Sequence, residues 1–141
     1  MESGVSRTHL DFDAGERFVP LRRQLGVSCF GINQMLLEPG QRSRIHRHKH
    51  QEEVYLVLEG TLTLFVEGEE QTLERGELAR VAPDVRRQLL NRGPGRLSLL
   101  ALGGANEHVG RDGVAYRAWE DTEGASPQEI PLPEDLPVQP G

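Results

Sequence analysis

An all-β fold, a many-stranded sandwich or barrel, is what this sequence predicts, and three observations predict it. Short apolar stretches of strand length recur between residues 18 and 102. Glycines break the chain between them, at Gly40, Gly60, Gly68, Gly76, Gly93 with Pro94, and Gly103 with Gly104. No segment has the 3.6-residue apolar spacing of an amphipathic helix. About nine strands in one domain is the pattern of a sandwich or barrel.

Taken in order, the predicted strands are 18–25, 29–38, 42–48, 53–59, 61–67, 70–74, 78–81, 86–91 and 96–102, each closed by a residue able to take positive φ or to end a ladder. Arg111, Asp112 and Gly113 read as a turn into a last edge strand at Val114, Ala115 and Tyr116. In the stretch 53–59, period 2 puts Val54, Leu56 and Leu58 on one face and Glu53, Tyr55, Val57 and Glu59 on the other. A carboxylate at the start of such a strand points inward only where something there satisfies it.

With 141 residues the chain fits one domain. Residues 1–15 are read as a flexible arm, 16–118 as the barrel and 119–141 as a tail. That tail holds five of the nine prolines, six acidic residues and no Lys or Arg, so it accounts for the whole net charge of −6 and is expected to be extended or disordered, and solvated. Trp119, Ile130 and Leu132 are the residues that would pin part of it. The remainder is electrically balanced, which removes the bulk attraction that nucleic acid binding requires. No run is apolar for the roughly 18 residues a membrane span needs, and the first residues lack the apolar block of a signal peptide, so a cytoplasmic protein is expected. Cys29 is the single cysteine; it excludes an intrachain disulfide and is read as a small buried hydrophobe. His9 and His108 are read as surface residues, 103–106 as a loop, and Asp11, Asp13 and their neighbours as an ordinary turn lacking the acidic pattern of a calcium loop.

Chemistry concentrates at 42–53, where His46, His48 and His50 precede Glu52 and Glu53. On a strand, His46 and His48 share a face with Cα atoms about 6.6 Å apart, so both imidazoles can reach one cation. A short reversal would add Glu53 from the next strand. Two imidazoles and a carboxylate suit Zn, Fe, Mn, Ni or Co and leave positions for water or substrate. The competing reading is a solvated basic strand, because Arg42, Arg44, Arg47 and Lys49 lie among the histidines.

The spacing weighs against that alternative. Gly40, five residues, His46, one, His48, four, Glu53, six and Gly60 resembles, at every specified position, the first motif of the cupin superfamily, G-x5-H-x-H-x3-4-E-x6-G. The resemblance implies a jelly-roll barrel, the double-stranded β-helix, with His46, His48 and Glu53 as ligands of a divalent metal. His50 is the nearest competitor. The second motif, G-x5-P-x-G-x2-H-x3-N, is matched in part by 76–91: Gly76 and Asn91 agree, whereas Ala82 stands at the proline, Asp84 at the glycine and Arg87 at the fourth-ligand histidine. A guanidinium is always charged and has no lone pair to give a metal. Three arrangements follow: a three-ligand site with an open position, a metal-free barrel in which Arg87 pairs with Glu53, or a shifted backbone that turns Arg86 or Gln88 inward.

The resemblance covers a range of activities that includes dioxygenases, isomerases, epimerases, lyases and decarboxylases, and it implies a homodimer, for which the stretch 18–27 offers an edge. Arg87 in the pocket would favour a small substrate bearing a carboxylate or phosphate. Tyr55, on the face of Glu53, is either a ligand-binding donor or plain core packing. The other function class is a binding or accessory protein that holds a metabolite without reaction.

Overall fold

The computed structural model describes residues 4–104 and 112–138. Among these residues, ten strands form two five-stranded antiparallel sheets that face one another. They are β1 (Phe18–Val19), β2 (Gly31–Leu37), β3 (Ile45–His48), β4 (Glu52–Glu59), β5 (Leu62–Val66), β6 (Glu69–Leu73), β7 (Leu78–Val81), β8 (Arg87–Leu90), β9 (Leu97–Gly104) and β10 (Gly113–Tyr116). One sheet runs β1-β2-β9-β4-β7 and the other β10-β3-β8-β5-β6. This is the all-β jelly-roll that the sequence predicts.

The first predicted strand, 18–25, is the main local difference. Only Phe18 and Val19 pair with β2, and Leu21–Leu25 forms a short helix, α1. Pro20 has no N–H to continue the ladder, and Gly26 at φ 76° caps the helix with its N–H on Arg22 O. Leu21 thereby packs with Val19 and Leu36 on the outside of the first sheet. Residues 6–14, expected to be a free arm, lie on the same face. Asp11 N donates to Gln34 Oε1 at 2.8 Å, and fully buried Gln34 donates onward to Ser98 Oγ.

Between the sheets sits the main core, built from Leu37, Tyr55, Val57, Leu62, Leu64, Leu73, Val81, Leu89, Leu97, Leu99 and Ala101. Burying each large aliphatic side chain there contributes about 1.5–3 kcal/mol. Of the two faces of β4, the mixed one carrying Glu53, Tyr55 and Val57 turns inward, and Val54, Leu56 and Leu58 are half-buried on the outer face.

The tail is extended, as expected, but not solvated along its length. Its carbonyls at Ile130 and Glu134 accept from Arg44 Nε and Arg42 Nε at 2.6 and 2.9 Å, and Leu136 N donates to Gly40 O at 2.9 Å. Arg86 Nη1 holds the carbonyls of Trp119 and Asp121, both at 2.9 Å. Residues 131–134 share a crevice with Ile45, Gln88 and Tyr116, and Ile130 is buried. Glu120, Glu123, Glu129, Glu134 and Asp135 are exposed, while Ile130 and the backbone cover part of the second sheet. Among the described residues, no helix is long and apolar enough to cross a membrane.

Gly60, the last residue of the first motif, links β4 to β5 at φ 83°, and a Cβ there would stand 2.5 Å from Arg96 O and 3.1 Å from Leu97 Cα. Gly60→Ala is therefore expected to cost about 1–3 kcal/mol in urea unfolding, through an unfavourable φ and a clash with backbone. Gly15→Ala, where a Cβ meets nothing within 4 Å, should stay within about 0.5 kcal/mol of the parent protein.

Candidate metal centre

Two strands, one from each sheet, bring the expected residues together. His46 and His48 lie two apart on β3 and so project from one face into the space between the sheets. Glu53 lies on β4 in the facing sheet, near the start of the strand. A donor atom from each of these side chains lies within 4.8 Å of the others. Their side chains are 16–19% exposed, sheltered but open on one side.

The neighbours explain why there is room. Glu53 is paired across strands with Gly103, which pairs in turn with Gly31. His48 is paired with Gly113 and His46 with Ala115. Each potential ligand thus has a small cross-strand neighbour on one side, while on the other His46 pairs with Arg87 and Glu53 with Val81; a Cβ on Gly103 would come 3.2 Å from Glu52 O and 3.5 Å from Glu53 Cγ. The result is a cavity of about 340 Å³ whose walls include His46, His48, Glu53, Tyr55, Asn33 and Gln51. An adjoining cavity of about 280 Å³, an outer lobe, shares Phe18, Met35, His46 and His48 with it and also has Arg17, Arg44 and Leu132 in its walls.

The protonation pattern suits a cation. His46 Nδ1 is 3.1 Å from Arg44 O; an N–H there donates to the carbonyl and leaves Nε2 free, 3.6 Å from Glu53 Oε1. His48 Nε2 stands 3.1 Å from the same oxygen, and both ring nitrogens of His48 are buried without a hydrogen bond. The two rings meet edge to face, 5.4 Å between centroids. Burial pushes the Glu53 carboxyl up, but the two imidazoles facing it outweigh that and hold it well below the usual carboxylate range. Tyr55 donates its hydroxyl hydrogen to Glu53 Oε1, the oxygen both imidazoles face. Burial and the adjoining carboxylate raise the Tyr55 pKa well above the usual phenol value, against the opposing charge of Arg87, so the hydroxyl keeps its proton.

These donors fit a divalent transition metal. An ion about 2.1 Å from each ligand atom sets those atoms about 3.0–3.4 Å apart, close to two of the separations present. His48 Nε2, buried and facing the Glu53 carboxylate at 3.1 Å, is the atom that a bound ion would satisfy.

Arg87 points inward, opposite His46 in register, and is wholly buried. It forms no pair with Glu53. Its guanidinium reaches the chain after β7, donating to Ala82 O at 3.0 Å and more weakly to Val81 O and Pro83 O. It therefore stands behind the cavity, outside its lining. The shifted-backbone alternative does not occur either: Arg86 clamps the tail, and Gln88 Nε2 donates to Ser43 O on the outer side.

His50 is exposed and lines a separate surface crevice with Cys29, Phe30 and Glu52. Cys29, expected to be buried, is exposed there because the chain turns outward before β2. His9 is exposed, and His108 lies outside the described residues, as do Ala105 and Asn106 of the expected loop.

Sequence reasoning missed Asp112. Its Oδ2 accepts the backbone N–H groups of His50 and Gln51, both at 2.8 Å, fixing the β3–β4 turn, and lies 3.9 Å from His48 Nδ1. Burial raises its pKa, but those two donors outweigh burial and lower it. An Asp before Gly reads as a generic turn, and only the pairing of β10 with β3 brings it to the histidines.

A family model described as a cupin domain matches residues 33–103. No curated protein matches the chain. Among solved structures, a cupin protein from Bacteroides fragilis is 24% identical with a TM-score of 0.66, over 74% of this chain and 86% of that one. Another, described as a sugar phosphate isomerase from a cupin superfamily, from Silicibacter pomeroyi, is 26% identical with a TM-score of 0.60, over 82% of this chain and 79% of that one.

Replacing Asp112 with Ala strands two backbone N–H groups at the turn that carries the ligands. The expected loss is about 1–3 kcal/mol in chemical unfolding. A variant as stable as the parent would show that the turn holds without this acceptor.

Proposed function

This chain belongs to the cupin domain family, and on that premise we propose that it binds one divalent transition-metal ion through His46, His48 and Glu53 and acts on, or holds, a small anionic metabolite in the same cavity. The observation that carries the reading is the convergence of two imidazole nitrogens and one carboxylate oxygen from facing sheets, with His48 Nε2 buried and 3.1 Å from the carboxylate. A solvated basic strand would not leave them so. Zn, Fe, Mn, Ni and Co all accept this donor set.

When bound, the ion supplies Lewis-acid polarisation of a carbonyl or enediolate oxygen. The remaining work falls to the chain. Glu53 is held in its ionised form by the imidazoles opposite, and Tyr55 aims its hydroxyl at Glu53 Oε1, keeping a proton beside the centre. Asn33 and Gln51 offer carboxamide groups to a polar substrate, while Phe18 and Met35 form the apolar wall that limits water. The description of the Silicibacter pomeroyi relative as a sugar phosphate isomerase supports a small anionic substrate for this chain as well. Arg44 and Arg17 at the outer lobe suit an anionic end group.

Metal-free protein titrated with Zn, Mn, Co, Ni and Fe(II) is expected to take up one ion per chain, read by calorimetry and elemental analysis. His46→Ala and Glu53→Ala should each lower the affinity by at least about tenfold while remaining folded by circular dichroism. Absence of stoichiometric uptake by the parent protein, both alone and with a small dicarboxylate present, would sink the reading.

A further inference from the structure

The charges around this cavity have a consequence that the donor set alone does not contain. Among the described residues at the cavity, Arg17 is 3.7 Å from Asp135 of the tail, a pair that cancels. Four charged groups remain. Glu53 and Asp112 are negative, Arg44 lines the outer lobe, and Arg87 lies behind the wall opposite His46. They sum to zero with the imidazoles neutral, as ligation requires.

Arg87 is the unusual member. It is fully buried, its guanidinium is held by main-chain carbonyls alone, and its Nε has no partner. A guanidinium keeps its proton at any accessible pH. Its charge is therefore permanent and sits where the family's motif, by resemblance, has a neutral imidazole. A divalent ion entering this cavity leaves two positive charges uncompensated in a poorly hydrated space, which is costly in proportion to how little water reaches them. Phe18 and Leu132 in the walls of the adjoining cavity are exposed, so an anion can approach from that side after the metal.

We propose that this centre takes up its metal and a small dianionic chelating ligand as a coupled pair, with the buried charge of Arg87 weakening the metal alone and the anion restoring it. The inference rests on the three-ligand reading above and deepens it by naming the ligand class: a compact molecule carrying two negative charges that can offer oxygen atoms to the ion. Arg87 acts through its field, because its position behind the wall denies it contact with the ligand. Arg44 shares strand parity with His46 and His48, and its Nε is fixed on Ile130 O at the rim, where the far end of such a molecule would lie.

Equilibrium dialysis against Co(II) tests this, comparing malonate with its neutral isostere malonamide at equal free cobalt and equal ionic strength. For the parent protein, malonate is expected to raise cobalt affinity by at least about tenfold and malonamide to leave it unchanged. Arg87→Met should bind cobalt at least about tenfold more tightly than the parent without any anion, and its gain from malonate should shrink. Arg87→His, which adds an imidazole as well as removing the charge, should show the same independence from malonate, with thermal unfolding confirming that both variants are folded. Equal cobalt affinity of the parent in malonate and malonamide would overturn the coupling and leave the metal centre standing. Cobalt uptake in no condition would overturn the coupling and the metal centre together. Tight binding by the parent alone, unimproved in folded Arg87→Met, would remove Arg87 from the account.

Discussion

Two facing sheets must each deliver donors to one point between them, and much of this molecule is arranged around that demand. His46 and His48 approach from one sheet and Glu53 from the other. Such a meeting fails if the cross-strand neighbours are large, since a sandwich interior is otherwise filled to the density of an organic crystal. Gly31 and Gly103 next to Glu53, with Gly113 and Ala115 next to the histidines, keep that volume free. The rest of the inner faces carries Leu, Val and Tyr and closes normally. The cavity is thus a gap left by small residues in an otherwise packed core.

Its support comes from groups with no direct part in it. Asp112 ties the turn between β3 and β4 by accepting two backbone N–H groups, which fixes the angle from which the histidines and Glu53 approach. Arg87 spans the interior from β8 to the carbonyls after β7 and so braces one sheet against the end of the other. That brace occupies the place where the second motif, by resemblance, would offer a fourth donor. On the far side of the second sheet, the tail uses its backbone carbonyls and Ile130 to cover Ile45, Gln88 and Tyr116.

Much of this was legible in the linear chain. Glycine-led breaks and short apolar runs gave the all-β class, and the spacing from Gly40 to Gly60 gave the cupin resemblance and its three candidate ligands, which the structure brings within reach of one another. Period 2 in β4 separated the face of Glu53 and Tyr55 from that of Val54, Leu56 and Leu58. Where the reading of 18–25 as one strand gave way, the reason was local as well: Pro20 and Gly26 bracket a helical turn.

What the chain determined by itself was therefore alternation, strand ends and ligand spacing, because each depends only on neighbours a few residues away. What only the tertiary structure decided was which groups stand opposite those ligands. The partners that make the site, Gly103 beside Glu53, Asp112 beside His48 and the carbonyls of 81–83 around Arg87, come from strands or turns whose mutual register is set by the pairing of whole sheets. The covering of the second sheet by residues 119–138 is of the same kind. Proline and acidic content fix an extended, charged backbone, but whether it is solvated or docked depends on the apolar surface and arginines of a sheet that exists only once the chain has folded.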